Sequence, residues 1–74
     1  MDKTKFDEAV LAMLWYNLRV AGAAWKSLDW ESSGRLFDAG FISNPAKKAK
    51  SVSLSESGLM KGEAAFRKHF GDPE

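Results

Sequence analysis

Lys47, Lys48 and Lys50 fall within four positions of one another in the stretch FISNPAKKAKSVSLSESGL. Ammonium groups so closely spaced are suited to neutralising phosphates, with an affinity that falls steeply as salt rises. Upstream, Arg35 offers a guanidinium able to read a guanine edge, Ser32 a hydroxyl for a base or phosphate, and Lys26 one more cation. DNA is therefore one candidate partner. The neighbouring acids oppose it: residues 29–39 set Asp29, Glu31 and Asp38 against Arg35 alone, and phosphates repel a helix of net charge −2.

No other chemistry is as well furnished. The single histidine, His69, follows Arg67 and Lys68 near the end of a helical pattern, where a cation complements the helix C-terminus. No nucleophile has a base at a recognisable spacing, no glycine loop reads as a phosphate cradle, and no carboxylates join the histidine in a metal-ligand pattern. With no cysteine, a thiolate zinc site and disulfides are both excluded. The expectation is a protein that is not an enzyme and holds no cofactor or metal.

The elements that would position these residues must fit into 74 residues, one small domain over 1–74. Packing has to supply the stability, and Trp15, Trp25, Trp30 and five phenylalanines provide the material. The net charge of +1 is too small for a general polyanion binder. Its distribution is uneven: residues 1–42 carry five Lys/Arg against six Asp/Glu, whereas residues 43–70 carry six against two.

AVLAMLWYNL followed by AGA imitates a signal peptide, but the preceding MDKTKFDE is acidic where a signal needs positive charge. Asn17 and Arg19 interrupt an apolar run already short of the roughly 20 residues of a membrane span. The chain reads as cytoplasmic, with no membrane partner.

Thr4 and Asp7 form a variant capping box that predicts a helix from about Lys5. Phe6, Val10, Leu14 and Leu18 then recur every four residues, and Leu11, Met13 and Trp15 widen the apolar face to roughly 200°. Such a helix is covered from two sides, either by the last helix and the hairpin or in part by a second copy. Leu11, Trp15 and Tyr16 are the candidate interface residues for the second case. Gly22 is a C-cap candidate. AAWKSL predicts a turn or two of helix. Asp29 then caps a further helix with Trp30, Ser33, Phe37 and Leu36 inward and Glu31, Ser32, Arg35 and Asp38 towards solvent, stopped at Gly40. Gly34 inside it costs about 1 kcal/mol relative to alanine, so either another group approaches closely there or the helix frays.

After Gly40 the apolar period changes from 3.6 to 2. FIS and SVSLS become strands, NPAKKAK their turn, and Val52 and Leu54 face inward. Ser55 caps a last helix whose inner face is Leu59, Gly62, Phe66 and Phe70, with Gly62 marking a tight helix contact. The expected fold is α+β and mostly helical: three helices, a two-stranded β-hairpin wing and a C-terminal helix, the winged helix-turn-helix order.

RLFDAGFISNPAKKAKSVSLSESGL also resembles the second half of bacterial winged-helix regulators, through Leu36, Gly40, Ile42, the Lys47–Lys50 tip and the Leu54-Ser55-Glu56-Ser57-Gly58 turn into the last helix. That resemblance implies a transcription-regulator type of nucleic-acid binding. Over nearly its whole length the chain is similar to a family of short bacterial proteins known only as a domain of unknown function, through EAVLAMLW, AWKSLDW, RLFDAGFI and KAKSVSLSESGL. That likeness implies no activity. Two functions stand: nucleic-acid binding, or an adapter for protein partners or homodimerisation, which the apolar first helix and the tryptophans favour.

Overall fold

A computed structural model describes residues 3–25, 30–46 and 50–72, with the side chain of Trp25 left aside. In chain order the elements are α1 (Lys3–Ala21), β1 (Ala24–Trp25), α2 (Trp30–Asp38), β2 (Ser51–Val52) and α3 (Glu56–Phe70). The protein is mostly helical. The short helix expected from AAWKSL is replaced at its start by β1, and its remainder, with the Asp29 cap, lies outside the described residues. α1 begins at Lys3, so Thr4 lies within the helix and does not cap it.

The 3.6 period of α1 makes it the central element, buried along two faces as its wide apolar arc requires. On one face Val10, Leu11 and Leu14 join Ala24, Leu36, Ile42 and Val52 in a single cluster. On the other, Ala12 and Trp15 meet Ala65 and Phe66 of α3. The α1–α3 contact is close because α3 offers small residues. A Cβ at Gly62 would sit 2.8 Å from the Trp15 Cβ, so the tight contact read from this glycine is present. The inner face of α3 is Gly58, Gly62, Ala65 and Phe66, whereas Leu59 and Phe70, expected inside, are exposed. Phe66 explains part of this. It stacks on Tyr16 at 4.8 Å and tilts against Trp15 at 5.5 Å, so one aromatic fills the space and the flanking positions must stay small.

α2 ends in a Schellman motif. Gly40, at φ +82°, donates its N–H to Phe37 O and Phe41 donates to Leu36 O, both at 3.0 Å. From there the chain pairs with the approach to α3. Ile42 and Leu54 form an antiparallel bridge, Ser43 N–H donates to Ser53 O at 2.8 Å, and Ser55 N–H donates to Phe41 O at 2.9 Å. On its other side the same segment pairs antiparallel with β1, Ala24 opposite Val52 and Trp25 opposite Ser51. The regular ladder therefore joins β2 to β1, and residues 41–43 contribute one bridge where a strand was expected. Ser55 caps α3 as expected: Gly58 N–H donates to its Oγ, and that hydroxyl donates to Gly40 O at 2.6 Å, tying the exit of α2 to the entry of α3.

Candidate functional site

The face that α2 turns to the core is not the one its aromatics suggest. Ser32, Ser33 and Leu36 are buried, while Trp30 is 65% and Phe37 41% exposed. Ser32, expected on the solvent side, is therefore corrected to the interior. The reason is Arg35, whose guanidinium reaches back across 28 residues to α1. Its Nε donates to Asp7 Oδ2 at 2.6 Å and its Nη2 to Asp7 Oδ1 at 2.9 Å, and Nη2 also donates to Ser32 Oγ at 3.2 Å. A bidentate arginine–carboxylate pair fixes orientation as well as charge. This one ties α2 to α1 in the rotation that buries Ser32, Ser33 and Leu36 and leaves the Trp30–Phe37 edge outward.

The hydrogen bonds from Arg35 hold the Asp7 carboxyl below its usual range, against the opposing effect of burial and with help from Ser32. With Arg35 so engaged, the outward face of α2 carries Trp30, Gly34 and Phe37 along one side and Glu31 and Asp38 along the other. Neither of these two carboxylates makes an ion pair among the described residues. Gly34 forms a notch between them: a Cβ there would find nothing within 4 Å. Of the two explanations its sequence position allows, close approach within the monomer is excluded among the described residues.

Lys50 is exposed, and Lys26, Lys47 and Lys48 lie outside the described residues. Three basic side chains of α3 meet acids: Arg67 pairs with Glu63 at 3.2 Å and Asp72 at 2.6 Å, and Lys68 and the His69 ring both contact Glu8. His69, the largest influence, and Lys68 lower the Glu8 pKa by hydrogen bonding. Thus α3 adds little unpaired positive charge to the lysine segment beyond Lys61, which makes no ion pair among the described residues. The candidate dimer residues are mostly consumed within the monomer: Leu11 is 1% and Trp15 8% exposed, and half-buried Tyr16 lies on Phe66. Leu11 lies in the cluster with Ala24, Leu36, Ile42 and Val52, whereas Trp15 and Tyr16 pack against Phe66 of α3.

Residues 2–72 match the family described as Domain of unknown function (DUF6429). The chain belongs to this family. It is 43% identical over 70 residues, 95% of each chain, to a protein described as "Uncharacterized protein y4hR" from Sinorhizobium fredii (strain NBRC 101917 / NGR234). No solved structure matches.

In this DUF6429 domain a cleft of about 200 Å3 opens where α1, α2 and α3 meet, between Asp7, Glu8, Arg35 and Lys61. Three of these four side chains are already bound to one another or to α3, so the cleft is a structural junction. Among the described residues no helix is long and apolar enough to cross a membrane, and no cluster of His, Asp or Glu could hold a metal ion. Sequence reasoning missed Trp30 and Phe37 as surface residues. Their seven-residue spacing puts them on one helical face, but spacing does not say which way that face turns.

Proposed function

We propose that the protein is a non-enzymatic protein-interaction module on a winged helix-turn-helix frame, docking through the outward face of α2. The observation that carries this reading is the composition of that face: two exposed aromatics beside two carboxylates, with the one arginine turned inward to Asp7. Exposed Trp and Phe on a rigid helix are the anchors that protein interfaces use. A phosphate-lined groove would instead select cations there. The frame is supported by the helix order and by the β2 segment lying between β1 and Ile42, which is how a wing returns to the sheet beside the first helix.

One observation favours nucleic-acid contact as a second reading: exposed Lys50 follows Lys47 and Lys48 in sequence. Contact by these three lysines alone would be weak, salt-sensitive and indifferent to base sequence. Titrating labelled duplex and single-stranded DNA at low salt separates the readings. The docking reading expects at most weak binding, removed by Lys47→Glu, Lys48→Glu and Lys50→Glu together and unchanged by Trp30→Ala or Glu31→Gln. Tight, sequence-selective duplex binding that is lost on changing α2 would overturn it.

A further inference from the structure

The three glycines inside helices differ in what surrounds them. At Gly58 a Cβ would strike the backbone of Phe41, and at Gly62 it would strike Trp15, so both positions are explained by contacts within the monomer. Gly34 lowers the helical stability of α2 in the same way, yet nothing within 4 Å of its Cβ position requires the missing side chain. It lies one turn from exposed Trp30 and one turn from Asp38, at the low point of the outward face. Resting on the docking reading above, we infer that the notch at Gly34 receives the backbone of a partner helix that is apolar along one side and carries lysine or arginine along its flank.

The charge of the face selects that occupant. Glu31 and Asp38 border the notch with no ion pair among the described residues, so a flanking cation on the partner would meet them while its apolar side covers Trp30 and Phe37. A second copy of α2 fits poorly, because its outward face brings no cation to meet Glu31 and Asp38. Across a two-fold axis with antiparallel helices, the carboxylates of both copies fall on the same side of the contact, like charge against like. An acidic partner meets the same repulsion.

The probe is a pair of synthetic amphipathic helical peptides with the same leucine stripe and a central alanine, one flanked by lysines and the other by glutamates. Each is titrated into the isotope-labelled full chain while backbone amide shifts are followed. The lysine peptide is expected to shift the amides of residues 30–38 saturably and the glutamate peptide to leave them unmoved. Gly34→Leu should lose the response while keeping the α1 and α3 amide pattern. Gly34→Ala, which can only strengthen the helix, should weaken it, and Glu31→Lys with Asp38→Lys should transfer the response to the glutamate peptide. Equal responses of α2 to both peptides would overturn the basic partner and leave docking by α2 standing. Shifts confined to other elements, no shift with either peptide, or an undiminished response in Gly34→Leu would overturn the inference, and the docking reading then rests on the DNA titrations alone.

Discussion

The α1–α3 contact and the outward face of α2 use the same ingredients, tryptophan, phenylalanine and glycine, to opposite ends. In the first, Gly62 lets α3 settle on Trp15, and Phe66 closes the gap between Trp15 and Tyr16. In the second, Trp30, Gly34 and Phe37 repeat the combination on an exposed face, with Trp30 65% and Phe37 41% accessible and nothing within 4 Å of a Cβ at Gly34. A small domain has few aromatics and a thin stability margin. Two large ones and a helix-weakening glycine on the surface of the same helix are what the docking proposal rests on.

The comparison breaks most readily at its buried half. Trp15→Ala removes a large ring from the α1–α3 contact and should cost about 3–5 kcal/mol, read as a fall in the urea midpoint, whereas Trp30→Ala should change it little. Gly62→Ala pushes a methyl into Trp15 and should cost about 1–3 kcal/mol. Gly58→Ala meets the main chain of Phe41, which cannot swing aside as a side chain can, and should cost at least as much.

The Arg35–Asp7 pair, which turns the two faces apart, comes next. Asp7→Asn should destabilise by about 1 kcal/mol, a modest figure because Arg35 remains 36% exposed and solvent screens the pair. The sign with pH follows from the depressed Asp7 and Glu8 pKa values. Their contribution is complete above the ordinary carboxylate range near pH 4 and is lost as pH falls through the lower folded values. Asp7→Asn should therefore flatten the acid side of the stability profile as well as lower its plateau. The smallest effect is expected at Arg67→Ala, whose exposed pairs with Glu63 and Asp72 should contribute no more than about 0.5 kcal/mol.

Much of the frame could be read from local signals, because each has one local cause. Ser55 before a helical pattern means a cap, Gly40 after one means a left-handed exit, and the period change after it brings Ile42 opposite Leu54. Gly62 announced its tight contact for the same reason. What escaped the sequence was direction. Large apolar residues were expected inward, yet the inward positions of α3 went to Gly58 and Ala65 while Leu59 and Phe70 faced out, since close helix packing selects small residues over hydrophobic ones. In α2 the observed rotation goes with Arg35 meeting Asp7, a partner 28 residues away on another helix, which no periodicity within α2 records. The pairing of β1 with β2 is equally non-local, and so AAWKSL read as helix.

The most direct test sets Gly34→Ala beside Gly62→Ala in urea unfolding of the full chain. If Gly62 serves the monomer and Gly34 a partner, the two substitutions move stability in opposite directions: Gly62→Ala lowers the midpoint, and Gly34→Ala raises stability by about 0.5–1 kcal/mol. A midpoint that falls for Gly34→Ala as it does for Gly62→Ala would show that position 34 is already filled within the monomer, and the outward face of α2 would lose its claim to a partner.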